Sequence, residues 1–232
     1  MTKLIHISTV PQSLEFVGGQ AAFMKARGIE VAACSSSGEF LCRFGEREGI
    51  QVFPIDMARR ITPLRDLVAL IQIRALLRRL RPQFVHAHPP KGGLLGMIGA
   101  WMSRVPLRIY HMHGLPYLTA VGWKRRLLMW SEFVSCRLAH RIICVSPSVR
   151  DVAIAASLTA PEKILVLHHG SCNGVDAVKR FNPFRLGKNT RAAVRKKYGI
   201  PESAQVVGFV GRVVKSKGVV ELAEAWSSLR RE

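Results

Sequence analysis

Val206-Val207-Gly208-Phe209-Val210-Gly211-Arg212-Val213-Val214-Lys215-Ser216-Lys217-Gly218 reads as an apolar strand over 206–210, a basic glycine-containing loop and a helix start. Downstream, Val219, Leu222, Ala223, Trp226 and Leu229 recur at helical spacing. A helix N-terminus offers free N–H groups and a partial positive charge. With Arg212 and Lys217 beside it, the loop is a phosphate-type anion site. The sequence stops soon after this unit, so residues before it form the larger fold and this stretch opens a second one.

Upstream, strand and helix signals alternate. Short apolar runs at Leu4–Ser8, Ile29–Ser35, Gln51–Pro54, Phe84–Ala87, Leu107–His111, Arg141–Val145 and Ile164–Leu167 read as strands. Helical patterns fall at Gln20–Arg27, Phe40–Glu48, Pro63–Leu80, Gly92–Ser103, Trp123–Leu138 and Pro147–Ala156. Strands read as apolar on both faces predict a parallel sheet covered by helices on both sides. The expected division is 1–184 for this domain and 185–232 for a linker helix, near Asn189–Tyr198, and the start of a second.

In such sheets ligands lie at the carboxyl ends of strands. Ser8-Thr9, His86, His88, Lys91, His111, His113, Gly114, Ser146 and His168-His169 all gather there. Neither His-x-His pair is expected to build a metal site. Each pair is taken to offer one ligand to a given side, and no Asp or Glu cluster supports a metal.

The totals bound the partners. Lys and Arg number 35 against 15 Asp and Glu, a net charge of +20. That excess selects anionic partners: a membrane surface, nucleic acid or phosphorylated substrates. No base-recognition motif is present and aromatics make up 7%, so nucleic acid is the disfavoured option. Cys34, Cys42, Cys136, Cys144 and Cys172 form no CxxC pair and are expected to be inert core thiols in a reducing cytosol. MTKLIHISTV lacks a signal-peptide core, and the uncharged run 92–103 is too short to span a bilayer. Arg74/Arg78/Arg81 and Lys188/Arg191/Arg195 make basic helical stripes, expected to face an anionic inner-membrane leaflet.

Several stretches together resemble the family 4 retaining glycosyltransferases. These are HAHPPKGGLLGM (His86–Met97), RIYHMHGLP (Arg108–Pro116), CVSPSV (Cys144–Val149), NGVDAVKRFNP (Asn173–Pro183) and Gly211-Arg212 with Lys217-Gly218, in family order. They look closest to members that build capsule or O-antigen glycans on a lipid carrier. The resemblance implies the GT-B fold, two Rossmann-like domains with a cleft between, here with the second truncated. It implies transfer from a nucleotide diphosphate sugar, in family terms a UDP-sugar, to a polyprenyl-diphosphate-linked glycan, at the cytoplasmic membrane face, with no cofactor or metal. By resemblance Arg212 and Lys217 hold the donor diphosphate, and His113 lies near the transferred sugar. Gly18 and Gly19 match a glycine-rich first loop, although they lie well past the first strand. Asn173 and Asp176 match a loop near the hinge, and Lys91 is expected to face acceptor or phosphate. The family's acidic E-x7-E pair has no counterpart in place: Glu224 and Glu232 have its spacing but come too early. The expectation is therefore a gene fragment, a truncated frame or one piece of a split enzyme. Alternatives are a nucleotide-sugar epimerase of the same fold and a non-catalytic basic membrane- or partner-binding fragment.

Overall fold

The computed structural model describes residues 2–58, 60–89, 91–172, 174–187 and 189–229. Asn173, Lys188 and Glu232 lie outside them. The chain forms two compact units, Met1–Gly174 and Val175–Glu232.

The first unit is built on seven strands: β1 (Thr2–Ile7), β2 (Ile29–Ser35), β3 (Gln51–Pro54), β4 (Phe84–Ala87), β5 (Leu107–Met112), β6 (Arg141–Cys144) and β7 (Ile164–Val166). All neighbouring pairs are parallel. Their order is β3-β2-β1-β4-β5-β6-β7. The chain winds outward in one direction from β1 and in the other from β4, so the switch point lies between those strands. The helices between them are α1 (Gln20–Lys25), α2 (Glu39–Glu48), α3 (Pro63–Leu80), α4 (Lys91–Met102), α5 (Gly122–Leu138) and α6 (Pro147–Ala155). Each sits within a few residues of its sequence pattern. Local chemistry explains the limits. Pro63 occupies the first turn of α3, where its missing N–H is harmless. Arg81 turns left-handed at φ 46°, and Pro82 prevents continuation.

Side-chain parity divides the sheet. Ile5, Ile7, Cys34, Val85, Ala87, Tyr110 and Met112 point into the main core with Ile73, Leu77 and Met97 from α3 and α4. The opposite face is covered near β2 by Leu14, Val17, Leu41 and Phe44, packed on Ala33. This second face corrects the reading of strands apolar on both sides: β1, β4 and β5 place His6, His86 and His111 there, all buried.

Helix α4 approaches the sheet closely because its contact face is glycine. A Cβ on Gly92 would stand 2.6 Å from the Thr9 nitrogen, and one on Gly96 2.9 Å from the Ala87 Cβ. Any larger residue would force the helix outward.

Among its described residues the second unit has two α-helices, α7 (Thr190–Tyr198) and α8 (Val219–Leu229). Gly199 ends α7 left-handed. Arg195 closes the turn beyond it, donating to the carbonyls of Pro201, Glu202 and Ala204. Residues 206–210, expected as a strand, form none. A strand is held by ladder hydrogen bonds to a neighbour; here Val206, Val207 and Val210 are exposed and no strand among the described residues pairs with them.

Candidate functional site

The carboxyl edge of the sheet beside the switch point carries a cluster of imidazoles. Parallel register sets His6 of β1 directly opposite His86 of β4. His88, two residues on, is buried just past the end of β4. His111 and His113 stand at the end of β5 and just beyond it. Residues two apart share a face. Both members of each His-x-His pair therefore look the same way, which overturns the expectation of one ligand per pair.

The rings are linked edge to edge. His6 Nδ1 lies 3.2 Å from His88 Nε2, His88 Nδ1 3.1 Å from His113 Nε2, and His86 Nε2 3.2 Å from His111 Nδ1. His113 Nδ1 meets Cys172 Sγ at 2.8 Å. The His111 and His113 rings stack with centroids 4.3 Å apart, and the Phe16 ring stands 5.0 Å from that of His113. His6 Nε2 and His111 Nε2 are buried with no hydrogen-bond partner among the described residues. Burial lowers the pKa of His6 and His113 to about 4 and, with help from neighbouring histidines, that of His111 to about 3. His86 and His88 are lowered well below the usual value for the same reasons. The rings are neutral at pH 7, each with one donor and one lone pair. Such an array can hydrogen-bond a polar ligand or ligate a metal ion.

The other expected residues are placed as follows. Gly19 starts α1 with φ 80° and gives its N–H to the Glu48 carboxylate at 2.8 Å. Gly18 ends the preceding 3₁₀ helix, Pro11–Val17. Lys91 Nζ is held by the Asp66 carboxylate at 2.7 Å and by Thr62 and the Arg60 carbonyl. These bonds fasten the start of α4 to that of α3. Gly92 N donates to Thr9 Oγ1 at 2.7 Å, tying α4 to the end of β1. In the second unit, the Asp176 carboxylate accepts from Lys179 N at 2.8 Å. Arg212 and Lys217 are exposed ahead of α8. Arg74 is half-buried with its Nε enclosed, so the expected α3 stripe keeps only Arg78 and Arg81 at the surface. The cysteines are not uniformly inert core: Cys42 is exposed, and Cys172 is half-buried against His113.

Two features escaped the sequence reading. His6 joins the cluster; its signal was the order of a parallel sheet, which sets β1 beside β4. Glu132 of α5 is buried and accepts from Tyr110 Oη at 2.7 Å. Burial raises its pKa to about 7, against the opposing effect of that hydrogen bond.

Residues 15–170 match the glycosyl transferase 4-like domain. The capsular polysaccharide biosynthesis glycosyltransferase CapM of Staphylococcus aureus is 33% identical over 97% of this chain and 57% of that protein. An Escherichia coli UDP-Gal:alpha-D-GlcNAc-diphosphoundecaprenol alpha-1,3-galactosyltransferase is 28% identical over 73% of this chain and 42% of its own length. This chain thus spans about half the length of the curated relatives it matches. Among solved structures, Anabaena Alr3699/HepE in complex with UDP superposes with a TM-score of 0.71 at 17% identity, over 98% of this chain and 58% of that one. A Rickettsia africae glycosyltransferase gives 0.70 at 17% identity, over 100% and 58%. These likenesses are of fold.

Proposed function

Since the chain belongs to the glycosyl transferase 4-like family, we propose that the whole protein is a retaining glycosyltransferase of surface-polysaccharide assembly. It moves a hexosyl or N-acetylhexosaminyl group from a UDP-sugar to a glycan on polyprenyl diphosphate. The observation that carries this reading is the polar carboxyl edge at the β1/β4 switch point, with Ser8, Thr9, His88 and His113, where open α/β sheets take their ligands. The donor class is supported by the UDP bound in a protein of the same fold. The acceptor class is supported by the E. coli relative, named for a diphosphoundecaprenol acceptor.

In this reading His113 lies beside the transferred sugar. Arg212, Lys217 and the N-terminus of α8 hold the diphosphate. Negative charge grows on that leaving group as the anomeric C–O bond breaks, so these groups stabilise the transition state more than the ground state. Gly18, Gly19, Lys91, Asn173 and Asp176 are assigned to substrate contact in the same proposal. The domain division at 184/185 is part of the same proposal. The test is release of UDP from UDP-sugars with a polyprenyl-diphosphate-linked acceptor, using the full-length protein. Arg212→Ala and Lys217→Ala are each expected to lower the rate about 10²- to 10³-fold, as for a lost oxyanion-hole donor. Undiminished transfer by both variants, or interconversion of the free nucleotide sugar with no transfer, would overturn the reading.

The proposed workplace is the anionic inner face of the cytoplasmic membrane. No helix among the described residues is long and apolar enough to cross a membrane. Leu64, Leu67, Val68 and Ile71 on α3 are exposed together, with Arg78 and Arg81 further along the same helix. Each basic residue near an anionic surface contributes about 1 kcal/mol. Co-sedimentation with anionic but not neutral liposomes is expected; equal binding to both counts against it.

A further inference from the structure

We propose that His88, His111 and His113 form a binding site for one divalent transition-metal ion of the zinc type. One donor atom from each lies within 4.8 Å of the other two. The hydrogen bonds show which nitrogen of each ring is fixed by an outer partner. His88 is held through Nε2 by His6, and its Nδ1 meets His113 Nε2, a contact that the ion would replace. His111 is held through Nδ1 by His86, which leaves the buried, unpartnered Nε2. His113 is held through Nδ1 by Cys172, and its Nε2 faces His88 Nδ1. Metal-binding histidines ordinarily have this arrangement, one nitrogen for the ion and the other fixed by an outer partner that sets tautomer and ring orientation. Here all three outer partners are in place.

The dimensions agree. With zinc–nitrogen bonds of about 2.0–2.1 Å, tetrahedral ligands stand about 3.3 Å apart. His88 Nδ1 and His113 Nε2 are already 3.1 Å apart. Closing a separation of at most 4.8 Å to that value needs about 1.5 Å of donor-atom movement, and the His111 and His113 rings, now stacked at 4°, must rotate apart so that both in-plane lone pairs meet the ion. Donor chemistry selects the ion. The triad offers imidazole nitrogens and no carboxylate, which suits zinc, copper or nickel and excludes magnesium, calcium and manganese as natural occupants. A hydrogen-bond network alone leaves His111 Nε2 unpaired in the interior, a cost that ligation removes. The second triad, His6, His86 and His88, is wholly buried. His113 is only partly buried, so the chosen triad is the one with an entry path. A three-histidine site keeps a fourth position for water or ligand.

The inference stands apart from the transferase reading, because metal content is measured without substrate. The full chain is stripped with chelator and titrated with zinc chloride by calorimetry, and bound metal is counted by elemental analysis after gel filtration. Expected is one zinc per chain, no binding of magnesium, and a rise in the thermal midpoint with zinc. Affinity should fall at least 100-fold in His111→Phe and about 10- to 100-fold in His86→Phe, which removes an outer partner. The double variant His168→Ala/His169→Ala, at exposed histidines, should bind as the parent does. Zinc at background in the parent overturns the proposal, whether or not the variants fold. So does stoichiometric zinc that survives His111→Phe or is lost in the His168/His169 variant.

Discussion

Replacing Glu132 with glutamine removes a carboxyl group that the fold buries to 4% exposure and leaves an oxygen to accept from Tyr110. In the parent, the carboxyl has a folded-state pKa raised from 4.5 to about 7, chiefly by burial. A raised folded pKa means that the folded protein keeps a proton which the unfolded chain has lost. The resulting contribution is fully present below pH 4.5 and disappears as pH rises through 7. At 1.36 kcal/mol per unit, the 2.5-unit gap corresponds to about 3 kcal/mol over the whole range, of which about 2 fall between pH 5.5 and 8. Glutamine has no such dependence. The assay is urea unfolding of both proteins at half-unit steps across that interval. The variant is expected to gain about 2 kcal/mol on the parent between its ends, the gain ceasing above pH 7. Histidine and cysteine titrations cancel in the difference. A stability difference that stays constant with pH would refute the reasoning, because the carboxyl would then ionise alike in both states.

Gly92→Ala should destabilise the first unit by about 1–3 kcal/mol in urea unfolding. Overpacking against the Ser8–Thr9 backbone and loss of the bond to Thr9 outweigh about 1 kcal/mol of gained helix propensity; a variant at least as stable as the parent counts against close approach of α4. A double-mutant cycle with Lys91→Met and Asp66→Asn should give a coupling of about 1–3 kcal/mol, since the pair is largely enclosed and charge-assisted. A coupling near zero would show that Asp66 does not hold Lys91. In the second unit, Arg195→Ala should lower helix content, read by circular dichroism, because three carbonyls beyond α7 lose their donor; unchanged helicity would show that Gly199 alone ends the helix.

The first unit was legible because its elements are locally consistent. Short apolar runs, helix-stopping Gly and Pro, and strict alternation all point to one parallel sheet. The apolar run 206–210 carries the same local signal and forms no strand. Periodicity reports what a segment can do with a partner, and the partner is a fact about the rest of the chain. Lys91 shows the complementary limit. Its place after a strand end reads as ligand-facing, yet Asp66, far off in sequence, holds it. Gly19, matched by resemblance to a glycine-rich first loop, gives its N–H to Glu48. Charges paired at long range are invisible to a local reading.

The imidazole cluster shows how far topology extends a local motif. Each His-x-His pair, taken by itself, gives two rings on one strand face. A parallel sheet with β4 between β1 and β5 sets His6 opposite His86 and Ile109 beside it on the same face, so His111 comes level with His88. Parity then sends Tyr110 to the other face, where its hydroxyl meets Glu132. There Gly93 leaves room for the ring: a Cβ on it would stand 2.5 Å from Tyr110 Cε2. One register therefore fixes both the polar edge on one face and the buried acid on the other. A one-residue slip of β5 would exchange them, putting His111 and His113 in the apolar core and Tyr110 among the histidines. The glycines of α4 and the histidines of β4 and β5 are thus two consequences of a single alignment, and a substitution that shifts that alignment should disturb metal binding and Glu132 ionisation together.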